Sequence, residues 1–205
     1  MDTDIQIDYR GFIKSKITGN SHTLDTALSE LIHNSISAKA SDIFILHNDF
    51  NKPIIIDNGT GMNKDNMDKL KKFYDSSKRE IGDIGTYNIG LKEALLKIGG
   101  RWIILSKTKN TEDIVYCDFN SDNLTKFAYG EPYINCIDSG FCNKLYEKLF
   151  INILDEIGLI NKNKSTSLKK FSGTVIYQIE DNNQNEPDEN NIFYNTLYTN
   201  LKLKL

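Results

Sequence analysis

Glu30-Leu31-Ile32-His33-Asn34 sets a carboxylate and an amide four residues apart, inside a segment whose apolar residues Leu24, Ala27, Leu28, Leu31 and Ile32 recur at helical spacing. That spacing predicts a helix over residues 22–39 with one buried face. Glu30 and Asn34 then lie on a single face, with Ser37 on the next turn. A carboxylate near the end of a triphosphate can orient and deprotonate water. An amide oxygen one turn away can hold magnesium, which takes few protein ligands beside phosphate oxygens and water. The same pattern also describes the solvated face of an amphipathic helix.

Moving toward the C-terminus, Ile43-Phe44-Ile45-Leu46 and Ile54-Ile55-Ile56 read as strands. Asp57-Asn58-Gly59-Thr60-Gly61-Met62 comes directly after the second. A carboxylate at a strand end can accept a hydrogen bond from an adenine amino group. Gly59 and Gly61 would let the backbone pass close to a flat base. Asn-Gly is equally a tight-turn signal. However, the segment beyond Met62 looks like a helix start, with Asn63 as cap, Asp65 in the first turn and an end near Phe73.

Residues 74–90 are polar and contain Gly82, Gly85 and Gly90, the pattern of a long functional loop. Within it, Gly85-Thr86-Tyr87-Asn88-Ile89-Gly90-Leu91-Lys92 leads into a helix that carries Leu91, Ala94, Leu95 and Ile98 on one face and stops at Gly99-Gly100. Backbone N–H groups at a helix N-terminus bind phosphate, and Lys92 would add positive charge. A flexible connector has the same composition. Residues 101–106 and 111–119 read as a hairpin turning at Lys109-Asn110, residues 141–160 as a helix and residues 173–180 as a strand. Ser172-Gly173-Thr174 opens that strand. The Thr174 hydroxyl could share a water with Asp57 beside adenine, although threonine is also an ordinary strand residue. After a polar loop at 181–191, Tyr194, Leu197, Tyr198 and Leu201 fit a C-terminal helix over 192–203 that packs on its own domain. This order implies an α+β fold. It would be a two-layer α/β sandwich, with helices on one face of a mixed, mostly antiparallel sheet. We expect a single domain over 1–205, with its core at about 20–180.

The 205 residues carry a net charge of −3, which gives no support for non-specific nucleic-acid binding. The cluster Lys162-Asn163-Lys164, with Lys169-Lys170, reads as a solvated loop. Cys117, Cys136 and Cys142 match neither a disulfide framework nor a zinc site, so reduced thiols are expected. No apolar run is long enough to cross a bilayer, and the acidic start Met1-Asp2-Thr3-Asp4 leads into no signal-peptide core. The expected location is therefore intracellular and soluble, in cytoplasm or nucleus.

Taken in order, the four stretches resemble the GHKL superfamily of gyrase B subunits, the large heat-shock chaperone, MutL and MORC ATPases and sensor histidine kinases. ELIHN, DNGTGM, GTYNIG followed by LKEALLKIG, and SGT resemble its four motifs across residues 20–180. The resemblance implies the Bergerat fold, an ATP and Mg2+ pocket, and slow hydrolysis that acts as a dimerisation switch. It implies Glu30 as catalytic base and Asn34 as metal ligand. The nucleotide would contact Asn34, Ala38, Asp57, Gly59, Gly61, Met62, Lys78, Gly85, Thr86, Tyr87, Asn88, Ile89, Gly90, Leu91, Lys92 and Thr174. Ser77-Lys78 and Lys92 make the lid and phosphate loop look most like those of MORC-type proteins. His33, Ser37 and Asn88 depart from the usual pattern and bear on the hydrolysis rate, which leaves an ATP-binding module with little turnover as the alternative. A histidine-kinase reading would need His22 as phosphoacceptor, but it lies on or beside the same helix as Asn34, whereas a kinase carries that histidine on a separate domain. Relatives often take a lysine from a downstream domain. Here it would come from such a domain, from a partner, or from Lys78 and Lys92. A homodimer formed on ATP binding is implied, DNA enters by family analogy alone, and no membrane partner is expected.

Overall fold

Strands form where β-branched and aromatic residues run together. They are β1 (Asp42–His47), β2 (Pro53–Asp57), β3 (Arg101–Lys107), β4 (Val115–Asn120), β5 (Ile137–Phe141), β6 (Gly173–Ile179) and β7 (Tyr198–Lys204). The computed structural model describes residues 8–19, 23–47, 52–72, 89–179 and 198–204. The strands make one sheet in the order β5-β4-β3-β6-β2-β1-β7, and each pairing is antiparallel. The helices are α1 (Tyr9–Thr18), α2 (Leu24–Ser37), α3 (Lys64–Asp68), α4 (Ile89–Ile98), α5 (Ser121–Ala128), α6 (Lys144–Glu156) and α7 (Ser165–Lys170), with a 3-10 turn at Lys69–Lys71. The class is α+β, as the element order implied.

Strand side chains alternate between faces, and the core divides accordingly. On one face Ile43, Ile55, Trp102, Ile104 and Ile176 pack with Ile13 of α1, Ala27 and Leu31 of α2, Met67 of α3, Leu91, Ala94 and Leu95 of α4, and Leu124 of α5. On the other, Ile54, Ile56, Ile103, Leu105, Val175 and Tyr177 pack with Leu149, Phe150, Ile153 and Leu154 of α6. Helices α1 to α5 thus form the layer expected from the sequence. Helix α6 adds cover on the opposite face, so β6 is buried along its whole length.

Local signals set several boundaries. The Thr23 side chain caps α2 through the Thr26 N–H, and Asn63 caps α3 through the Asn66 N–H at 2.9 Å. Helix α4 closes at Gly99, whose N–H reaches the Leu95 carbonyl at 3.0 Å. The predicted hairpin is β3 and β4.

Several expectations need correction: the helix expected to end near Phe73 is α-helical only to Asp68, and the strand expected from residue 111 begins at Val115. Leu24, expected on the buried face, is exposed at the first residue of α2. The helix expected over 141–160 begins at Lys144, after β5. The C-terminal stretch is a strand from Tyr198 to Lys204 and not a helix; residues 192–197 lie outside the described residues. Leu203 and Leu201 sit opposite Ile43 and Ile45 of β1. Pairing with β1 satisfies backbone groups that an edge strand would leave open, and that outweighs the local helical spacing.

Candidate functional site

Strands β2, β6 and β3 bring one polar residue each to a common row. Asp57 is paired with Thr174, and Thr174 with Ser106. All three are buried. By alternation they lie on the face that carries α2 and α4, since Ile55, Ile176 and Ile104, two residues away on each strand, belong to that face.

The Asp57 carboxylate is the centre of this row. Oδ1 accepts the Gly59 N–H at 2.8 Å, and Oδ2 accepts the Ser35 hydroxyl at 3.1 Å. Burial pushes the Asp57 carboxyl above its usual range, while hydrogen bonds from Gly59, Ser35 and the Thr174 backbone partly oppose that. The loop after Asp57 folds tightly onto its surroundings. The Thr60 N–H reaches the Ala38 carbonyl at 2.8 Å. A Cβ on Gly59 would stand 2.6 Å from that carbonyl, and one on Gly61, at φ +68°, would overlap the Lys107 carbonyl. The two glycines therefore face protein backbone at Ala38 and Lys107. The Met62 N–H donates to Ser106 Oγ at 2.8 Å.

Along α2 the residues fall in sequence from one end of the site to the other. Glu30 faces the first turn of α4, where its Oε2 lies 2.6 Å from the position of a Cβ on Gly90. One turn on, the Asn34 side-chain nitrogen is buried and has no hydrogen-bond partner among the described residues. Ser35 comes next, at Asp57, and then Ala38, at Gly59 and Thr60. At 1.5 Å per residue, Glu30 and Ala38 are separated by about 12 Å along the axis. A buried orphan amide is costly unless something binds it, and a glycine that admits a carboxylate to a helix N-terminus leaves room beside that positive end. The orphaned donor and the positive helix end therefore suit an anionic group such as a phosphate at the Glu30–Asn34 end of α2.

Lys92 is buried, and its ammonium donates to the Lys69 carbonyl at 3.2 Å and to the Lys72 carbonyl. It ties α4 to the 3-10 turn. Leu91 is a core residue. Ile89 opens α4, whereas His22, Ser77, Lys78, Gly85, Thr86, Tyr87 and Asn88 lie outside the described residues. His33 and Ser37 are exposed on α2.

Sequence reading missed Ser35 and Ser106. Ser35 sits four residues after Leu31, on the apolar stripe Ala27-Leu31-Ser35. A hydroxyl on such a stripe signals a buried polar partner. Ser106 ends a run of apolar residues in β3, and no local signal points across the sheet to Thr174.

A helical layer over an antiparallel sheet, with an acid, an amide and a helix N-terminus on one side, is an arrangement that can receive a nucleotide. The family model of the Histidine kinase-, DNA gyrase B-, and HSP90-like ATPase matches residues 22–129. That is more than half of the 205 residues, and the chain belongs to this family. It thus carries a GHKL-type ATP-binding domain. Comparison with curated proteins gives no match. Among the described residues, no helix is long and apolar enough to cross a membrane.

Proposed function

We propose that this domain binds ATP with magnesium and hydrolyses it slowly, as a conformational switch of the MORC-like kind. The observation that carries the reading is the approach of Glu30 to the first turn of α4 at Gly90, with the Asn34 side-chain nitrogen, a donor without a partner among the described residues, one turn along α2. In this reading Asp57 and Thr174 take the adenine. Asn34 turns its amide oxygen to the metal, which when bound neutralises phosphate charge. The backbone over 85–90 receives the phosphates. Glu30 orients a water and takes its proton. Lys92 acts by holding the 3-10 turn against α4, and Lys78 reaches the phosphates from the lid. ATP closes that lid and favours association of two copies, with any further lysine coming from another domain or a partner.

The exposure of His33 and Ser37 supports turnover over passive binding, since substitutions on the solvent side of α2 leave Glu30 undisturbed. The test is calorimetric titration with a non-hydrolysable ATP analogue and magnesium, run beside a phosphate-release assay. Glu30→Ala should abolish release and spare binding. Equal loss of both would remove Glu30 from the role of base.

A further inference from the structure

The hydroxyl of Ser106 has three partners, and counting protons around it orients a group that the site depends on. Ser106 Oγ stands 2.9 Å from the Gly173 carbonyl oxygen, 2.8 Å from the Met62 nitrogen and 2.9 Å from Thr174 Oγ1. A serine hydroxyl has one proton to give and two lone pairs to receive. The Gly173 carbonyl can only accept, so the Ser106 proton goes there. The Met62 N–H can only donate, so it fills one lone pair. The remaining lone pair must take the Thr174 proton. Ser106 is fully buried and sits in the sheet between these partners, so no water competes for its capacity.

The consequence appears on the other side of Thr174. With its proton turned back to Ser106, Thr174 Oγ1 has lone pairs alone to offer. Asp57, its cross-strand neighbour, is likewise an acceptor while ionised, with Oδ1 and Oδ2 already receiving Gly59 and Ser35. The row therefore presents acceptors to whatever base lies on it.

We infer that Ser106 is a specificity-determining positioning residue, which fixes Thr174 as an acceptor so that the row formed with Asp57 selects a purine carrying a 6-amino donor over one carrying a 6-oxo group. This rests on the assignment of Asp57 and Thr174 to the base in the proposed function. Ser106 touches no ligand and acts through Thr174. Without it the Thr174 hydroxyl can rotate and offer its proton to a 6-oxo group.

The experiment compares non-hydrolysable adenosine and inosine triphosphate analogues with magnesium, titrated into the full chain. In the wild type the adenosine analogue binds more tightly. Ser106→Ala should lower the ratio of the two affinities about tenfold, the size expected when one buried hydrogen bond changes sense. Thr174→Val should lower it as well, and adding Ser106→Ala to Thr174→Val should lower it no further. Ser106→Thr, which keeps the hydroxyl, should retain the wild-type ratio. If Ser106→Ala weakens both analogues alike, or shifts the ratio equally with and without Thr174, the inference fails and Ser106 is purely structural. Should Ser106→Ala not fold, an unchanged ratio in Thr174→Val overturns the inference alone. Asp57→Asn separates the parent reading: retained affinity there removes the base from this row, whereas lost affinity with an unmoved ratio in Ser106→Ala refutes the Ser106 role only.

Discussion

Glu30 Oε2 occupies the space a side chain at position 90 would need, 2.6 Å from where the Gly90 Cβ would be. Helices α2 and α4 can bring the carboxylate to the N-terminus of α4 because position 90 carries no side chain.

Gly90→Ala should therefore separate stability from chemistry. Position 90 lies in the first turn of α4, where alanine's preference over glycine falls below the about 1 kcal/mol of a helix interior. The fold should keep or slightly raise its melting temperature. The added methyl displaces Glu30, and phosphate release should drop at least about tenfold, since small misplacements of a catalytic group are costly. Unchanged release in a well-folded Gly90→Ala protein would separate Glu30 from the chemistry.

Asp57 should give the apo protein a distinctive pH dependence. Its carboxyl lies above the ordinary value of 3.8, chiefly through burial. A folded-state value raised in this way makes its contribution fully present below 3.8, and that contribution is lost as pH rises through the folded value. Asp57→Asn cannot titrate. Relative to Asp57→Asn, the wild type should therefore lose stability from about pH 4 toward neutrality, as read by urea denaturation across that range. Nucleotide binding should behave oppositely. The wild type should bind the ATP analogue only where Asp57 is ionised, so affinity should fall on acidification at a pH above the usual carboxylate range, and Asp57→Asn should not bind at all.

Gly61 and Gly158 provide a matched pair for backbone strain. Both have positive φ, +68° and +75°, but a Cβ at 61 would overlap the Lys107 carbonyl whereas one at 158 meets nothing within 4 Å. Gly158→Ala should cost about 1 kcal/mol, from its dihedral alone. Gly61→Ala should cost at least about 2 kcal/mol more, because overlap with fixed backbone is added. Chemical denaturation of the two variants measures the difference directly.

Strand β7 covers the outer edge of β1. A chain ending at Ile179 should expose β1 as an edge that includes Ile43, Phe44, Ile45 and Leu46. Light scattering should detect its self-association at concentrations where the full chain stays dispersed. ATP-analogue binding should survive, since Asp57, Thr174, Glu30 and Asn34 all remain. Loss of binding together with dispersal would mean that β7 supports the site itself.

Where local spacing and tertiary need agree, the sequence was legible. Leu91, Ala94, Leu95 and Ile98 repeat as a helix, and Val175, Tyr177 and Ile179 alternate as a strand, because each segment buries a single face or inserts between two. The tail had two readings. Tyr194, Leu197, Tyr198 and Leu201 satisfy a helical period, while Leu201 and Leu203 satisfy a strand period, and the open edge of β1 chose between them.

The sequence by itself determined the α+β class, the helix bearing Glu30 and Asn34, the strand ending at Asp57 and the helix that carries Gly90 in its first turn, since each is set by periodicity and by chemistry within a few residues. Only the tertiary structure decided that Thr174 lies across from Asp57, that Ser35 and Ser106 complete its polar row, that Lys92 bonds to Lys69 and Lys72, and that α6 covers the second face. Those relations join residues 20 to 117 positions apart in the chain, for example Lys72 to Lys92 and Asp57 to Thr174. Their energy comes from burial and from hydrogen bonds that form once the sheet has set its register, and no local pattern encodes that register.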